Sequence, residues 1–128
     1  MSNVGIIGRS MEKLDLLSSV DLFSQLGQED MSVLAEHASF YEFDPGDYIF
    51  RAGTAERELF VIEGGEVRIV KRGEDGREID LARFVAGESF GEQDFLSENV
   101  RAASAVSEGS SRVLVFPARG TSFDELMM

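Results

Sequence analysis

The apolar positions change period part-way along the chain. Met11, Leu14 and Leu17 recur three apart, and Met31, Leu34, Ala35 and Ala38 fall at i, i+3, i+4 and i+7. Both are the stripe of an amphipathic helix. Between them "VDLFSQL" reads as an apolar turn that offers Leu22, Phe23 and Leu26 to a core. The "GQED" ahead of Met31 puts acids in the first helical turn, where the helix dipole favours them. Residues 1–10 carry no such pattern and are expected to form a flexible N-terminus.

After Phe40, short apolar runs alternate with turn signals. "YIF", "LFVI", "VRIV", "IDLARF" and "VLVF" have strand composition, and "DPGD", "AGTAE", "EGGE", "GEDG", "AGES" and "SEGS" punctuate them. Strands this short, spaced by roughly 8–12 residues, predict a sandwich, barrel or jelly roll. "EDG" between "VRIV" and "IDLARF" predicts a hairpin. "EQDFLSEN" is too polar for a strand and predicts one or two helical turns from Glu92. "TSFDELMM" predicts a final helix capped by Thr121 or Ser122, too short there to stand alone. The expected class is therefore mainly β with flanking helices. A chain of 128 residues has room for one domain, expected over 11–128 and cut short in or before its last helix.

Charge narrows the function. Twenty-four acids face twelve bases, the net charge is -12, and no basic cluster exceeds Lys71–Arg72. A broad phosphate-neutralising face is missing, so direct nucleic-acid binding and docking on anionic membrane are not expected. Any anion must be held locally, by a few fixed donors. The chain has no cysteine, which removes disulfides and thiolate metal sites and fits a cytoplasmic setting. The one histidine, His37, lies beside a helical stripe and reads as a surface or boundary residue. A metal-binding jelly roll needs more histidines, and no nucleophile motif accompanies this one. The chemistry on offer is binding rather than catalysis, without a metal or cofactor.

The stretch "FGEQDFLSENVRAASAV", Phe90 to Val106, offers such a local site. A short helix after Gly91 presents free backbone N–H groups, and glycine lets a ligand approach closely. Arg101 follows nine residues after Glu92 and would close over the same anion with paired hydrogen bonds. Read as a strand, Arg101, Ala103 and Ala105 share a face, and the two alanines leave open space beside the guanidinium. Glu92, an acceptor-only carboxylate, suits a sugar hydroxyl. A plain Glu92–Arg101 ion pair, with Gly91 marking a bend, explains the same residues equally well.

The stretch also resembles the phosphate-binding cassette of the cyclic nucleotide-binding domain family. That cassette runs Phe-Gly-Glu, a short helix, then Pro-Arg-(Ala/Thr/Ser)-Ala-(Thr/Ser)-Val. The likeness extends through "LFSQLGQEDMSVLAEHASFYEFDPGDYIFRAGTAERELFVIEGGEVRIV" and "GREIDLARFVAGESFGE", covering about residues 20–127. It implies an antiparallel β-roll (a double-stranded β-helix, jelly-roll-like) with N-terminal helices, a short phosphate-cassette helix and a C-terminal helix. It also implies a regulatory, signal-transducing module that binds cAMP or a related cyclic nucleotide and signals through its flanking helices. The implied partners are the nucleotide and either a second copy in a homodimer or a downstream effector domain. The implied site comprises Phe90, Gly91, Glu92, Gln93, Asp94, Arg101, Ala102 and Ala103. In it Gly91 and Glu92 meet the ribose, Arg101 pairs with the cyclic phosphate, and Ala102 supplies a backbone donor. An alanine at 102 leans towards cAMP over cGMP.

Three positions depart from the family's pattern. Val100 replaces a proline, Ala105 a valine, and Asp94 a small residue whose N–H faces the phosphate. Two like charges about 4 Å apart repel by roughly 4 kcal/mol near a surface. A buried charge pair loses about 2–5 kcal/mol when one partner is removed. An inward Asp94 would therefore offset most of what Arg101 contributes. The alternative reading is a domain that has kept this fold, lost the ligand, and serves as a protein-interaction or dimerisation module.

Overall fold

The computed structural model describes residues 12–96 and 100–120, apart from the Asp94 side chain. Residues 12–18 form helix α1. A 3-10 turn, Asp21–Phe23, leads to helix α2, Gln28–Glu36. Eight strands follow: β1 (Ser39–Phe43), β2 (Tyr48–Phe50), β3 (Leu59–Gly64), β4 (Glu66–Arg72), β5 (Glu78–Val85), β6 (Ser89–Phe90), β7 (Ser104–Ser107) and β8 (Ser111–Phe116). Helix α3, Glu92–Leu96, interrupts them after β6. Two antiparallel four-stranded sheets result, ordered β1-β8-β3-β6 and β2-β7-β4-β5. This is the mainly β roll that the sequence predicts. The C-terminal helix expected from "TSFDELMM" lies outside the described residues, as does the flexible N-terminus expected over 1–10.

The continuous apolar runs mark strands buried on both faces. β3 and β8 pair with Phe60 opposite Val115 and Val61 opposite Leu114. Their side chains alternate between two cores. Phe60, Ile62, Val113 and Val115 point between the sheets, against Phe43, Ile49, Val67, Phe90 and Ala105. Leu59, Val61, Leu114 and Phe116 point the other way, against Leu17, Val20, Phe23, Met31 and Ala35 of the helical layer. Phe95 of α3 packs on this same side, with its ring centroid 5.6 Å from that of Phe116.

Several expectations need correcting. β1, β6 and β7 were not among the strands legible in the apolar runs. β6 has only two residues, and β7 is "SAVS", whose small side chains give little apolar signal. Of the three side chains that the turn before α2 was expected to offer to the core, only Phe23 is buried, while Leu22 and Leu26 are exposed. Ala38 is buried but lies beyond the end of α2. Arg101 and Ala103 precede β7, so they share no strand face with Ala105, which is itself packed in the core between the sheets.

The β4–β5 hairpin forms as predicted, closed by the Gly73 N–H donating to the Arg77 carbonyl at 2.8 Å. On its outer face Arg68 stands opposite Arg83, an unfavourable pairing alone. Asp80 is 2.9 Å from Arg68 and 3.2 Å from Arg83 and offsets it. Glu108 pairs with both. Leu81 occupies the register shift in this hairpin and is 55% exposed, whereas Leu114 is fully buried at 0%.

Two leucines in strands thus make opposite predictions. Leu114→Ala should lower unfolding free energy by about 2–5 kcal/mol, through lost burial and the cavity left behind. Leu81→Ala should change it by less than about 0.5 kcal/mol. Urea unfolding followed by circular dichroism checks both; equal effects would refute the two-faced burial of β8.

Candidate functional site

Phe90 and Gly91 fix the start of the cassette. Phe90 is buried and stacks on Phe60 at 4.9 Å and on Phe84 at 5.4 Å between ring centroids. Gly91 has φ 87°, a region that side-chain-bearing residues rarely adopt. A Cβ there would stand 3.1 Å from the Phe60 ring and 3.2 Å from the Glu58 carbonyl oxygen. Glycine is therefore required both by backbone conformation and by close approach. The Gly91 carbonyl then accepts from the Phe95 N–H at 3.0 Å, which opens α3. Glu92 is half-buried on α3 and Gln93 is exposed.

Arg101 arrives at the same wall from the other side of α3. Its N–H donates to the Thr54 carbonyl at 2.7 Å, and its carbonyl accepts from the Gly53 N–H at 2.8 Å. The segment before β7 is thereby clamped to the 51–58 loop. The side chain is 1% exposed, and Nη2 donates to the carbonyls of Glu58 at 3.0 Å and Glu56 at 3.2 Å. The guanidinium lies 4.0 Å from the Phe50 ring centroid and 5.3 Å from that of Phe60, within cation–π range. Gly91 and Arg101 thus converge on one carbonyl, that of Glu58, and on one ring, Phe60. The open space expected beside Arg101 is taken by the Phe50 ring. Ala102 is exposed and Ala103 half-buried next to it.

The sequence reading missed three contributors. Glu58 is 7% exposed, and its carboxylate meets Arg119 Nε at 3.3 Å. Burial pushes the Glu58 carboxyl above the usual carboxylate range, while Arg119 and then Arg101 pull it down. Arg119 follows β8, and its Nη2 also donates to the Ile49 carbonyl. Arg57 Nε donates to the Phe95 carbonyl at 3.1 Å and ties the 51–58 loop to the end of α3. The signal for Glu58 was a carboxylate abutting the fully apolar "LFVI"; for the two arginines the sequence carried none.

A cavity of about 660 Å³ lies between β2, the 51–58 loop and residues 117–120. Phe50, Glu56 and Glu58, all in contact with Arg101, form part of its lining, and so does Arg119. None of the eight cassette residues lines it. The chemistry assembled at the cassette itself is a buried, fixed guanidinium next to a glycine-opened helix, suited to a small anion that carries hydroxyl groups. Among the described residues no group of His, Cys, Asp and Glu could hold a metal ion. No helix among them is long and apolar enough to cross a membrane.

Comparison with known proteins bears on this geometry. Residues 40–128 match the cyclic nucleotide-binding domain family. The Drosophila melanogaster cGMP-dependent protein kinase, isozyme 2, is 27% identical over 128 residues, which are 99% of this chain and 14% of the kinase. The regulatory domain of Toxoplasma gondii PKA, crystallised with cAMP, superposes with a TM-score of 0.77 at 25% identity, covering 94% of this chain and 46% of that one. The regulatory subunit of a cAMP-independent protein kinase A from Trypanosoma brucei gives 0.72 at 31% identity, covering 85% and 40%. The chain thus spans a small part of the kinase and under half of each regulatory protein. It belongs to the cyclic nucleotide-binding domain family, related within it to the regulatory domains of cGMP-dependent kinases and PKA.

Proposed function

We propose that residues 11–128 act as one non-catalytic sensor of a 3′,5′-cyclic nucleotide, in a cytoplasmic setting. The observation that carries this is the convergence of Gly91 and Arg101 on the Glu58 carbonyl. It brings a helix opening and a guanidinium to one point. In this reading Arg101 pairs with the cyclic phosphate and the Ala102 N–H donates beside it. Phe90 and Gly91 shape the wall, Glu92 takes the ribose hydroxyl, and Gln93, Asp94 and Ala103 border the ligand. The lean towards cAMP from Ala102 finds no support in the relatives, since the matched kinases are cGMP-dependent while the Toxoplasma domain holds cAMP. We assign the nucleotide class and leave the base to the titration.

Output would pass through packed rings. Phe95 of α3 touches Phe116, and Phe116 meets Phe23 edge-on at 6.0 Å. A ligand that draws α3 and Arg101 together shifts Phe95 against the layer that holds the N-terminal helices. It favours whichever helix arrangement it binds better. The receiver is an effector domain or a second copy of the chain.

A second reading has its own observation. Arg101 is 1% exposed and already engaged by the Glu56 and Glu58 carbonyls and the Phe50 ring. A domain in this state needs no ligand, and the related Trypanosoma brucei subunit belongs to a kinase described as cAMP-independent.

Calorimetric titration with cAMP and cGMP separates the two. Under the first reading one nucleotide binds, and at a hundredfold excess over Kd it stabilises the fold by about 2.7 kcal/mol in a thermal melt. Arg101→Lys keeps the charge but loses the planar fork, and should weaken binding by about 30-fold or more. No heat and no melting shift with either nucleotide at millimolar concentration establishes the second reading. An unweakened Arg101→Lys variant removes Arg101 from the site.

A further inference from the structure

Glu58 faces two guanidiniums. Its carbonyl accepts from Arg101 at 3.0 Å, and its carboxylate pairs with Arg119 at 3.3 Å. The charged groups that act on it are Arg119 from the segment after β8, Arg101 from the segment before β7, and Glu56 from its own loop. Arg119 is itself fixed. Its backbone N–H donates to Tyr41 Oη at 2.9 Å, Nη2 donates to the Ile49 carbonyl, and the Tyr41 and Phe43 rings flank it.

We propose that Arg119 is a positioning residue for the ligand site: it neutralises the Glu58 carboxylate and so keeps it from competing with a phosphate for Arg101. This rests on the cyclic-nucleotide reading of Arg101. A carboxylate this buried is costly unless paired. Deprived of Arg119, Glu58 has two ways to lower that cost. It can capture the adjacent Arg101, or it can take up a proton. Capture sets a carboxylate in competition with the ligand's phosphate for one guanidinium. The two arginines are not interchangeable, because Arg119 sits on the segment that leaves the roll after β8 whereas Arg101 is held by the 51–58 loop. Displacing residues 117–120 would withdraw Arg119 and weaken nucleotide binding. By linkage, bound nucleotide strengthens the Arg119–Glu58 contact by the same factor. The pair would thus connect ligand occupancy with the segment leaving the domain.

The sign of the pH dependence follows from the Glu58 carboxyl. Its pKa is raised in the folded protein, chiefly by burial, and removing Arg119 removes the largest opposing influence. Glu58 then protonates more readily as pH falls, and the neutral acid no longer competes for Arg101. Its contribution to folding stability has the same sign, present at low pH and lost as pH rises through the raised pKa.

The test measures nucleotide affinity by calorimetry for the full 128-residue chain and for Arg119→Met, Glu58→Gln and the double variant, with thermal melts confirming folding. Arg119→Met should weaken binding about 10-fold near neutral pH, a typical size for coupling between sites. Its deficit should shrink as pH is lowered below neutral, because burial raises the Glu58 carboxyl above the usual carboxylate range and it protonates before the exposed carboxylates. Added to Glu58→Gln, Arg119→Met should cost less than about twofold further, since Glu58→Gln has already removed the carboxylate that Arg119 neutralises. An equal loss from Arg119→Met in the Glu58→Gln background, or a deficit independent of pH, overturns the proposal. A second measurement does not depend on Arg119→Met folding: saturating nucleotide should slow hydrogen exchange at Ala118–Gly120 in the parent chain and not in Glu58→Gln. Unchanged exchange in the parent also overturns it. If the parent chain binds neither nucleotide, the sensor reading fails first and the inference falls with it. Tight binding with no effect of Arg119 leaves the sensor reading intact and removes the inference alone.

Discussion

The central strand pair β3–β8 is buried on both faces, and most of the molecule is arranged around that constraint. One face needs the second sheet and the other needs the helices. A two-sheet roll without the helical layer would leave Leu59, Val61, Leu114 and Phe116 in water, at about 1.5–3 kcal/mol for each side chain. The same pair also places the site. Glu58 is the residue just before Leu59, so the carbonyl that receives Arg101 and crowds Gly91 is anchored by β3, whose run Leu59 to Ile62 is fully buried. Arg119 comes three residues after Phe116, the last residue of β8, and is likewise positioned by that pair. The site stands at one end of the β3–β8 ladder.

Much of this was legible because it depends on local rules. The switch from helical to short-run periodicity marks where the sheets begin, and "LFVI" and "VLVF" are apolar throughout because each strand has two cores to fill. Gly91 was read as letting a ligand approach closely; what requires glycine in the structure is its positive φ and the crowding by the Phe60 ring and the Glu58 carbonyl. β7 was missed because Ser104 to Ser107 pack by being small, and smallness resembles loop composition. That miss carried a second one. Read as a strand, Arg101 has an open face; as it stands, the segment before β7 bends against the 51–58 loop, and Phe50 fills the place where space was expected.

Long-range charge contacts were the least legible. Glu58 and Arg119 are 61 positions apart, and nothing in the local sequence of Arg119 distinguishes it from the other charged residues. A carboxylate directly before a buried strand is the one cue, since such a position is seldom tolerated without a partner. The cue says that a cation must come, but not from where.

Under the proposed cyclic-nucleotide reading an acidic protein must hold an anion, and the two kinds of acceptor that Glu58 offers bear on that electrostatic difficulty. The net charge of -12 acts at long range, where salt screens it within about 8 Å. Affinity must therefore come from contacts shorter than that. Two of the acceptors around Arg101, the carbonyls of Glu56 and Glu58, are neutral. Neither carbonyl cancels the guanidinium charge, so exchanging one of them for a phosphate oxygen replaces a neutral acceptor with an ionised one and permits the bidentate pairing that arginine makes with phosphate. A carboxylate in their place would hold Arg101 just as firmly and leave little to gain. The nearest buried carboxylate, Glu58, instead faces the other arginine. Chain direction at Glu58 makes this separation possible: the backbone turns one acceptor towards Arg101 while the side chain carries the charge to Arg119. One residue thereby meets Arg101 through a neutral acceptor and directs its own charge to Arg119.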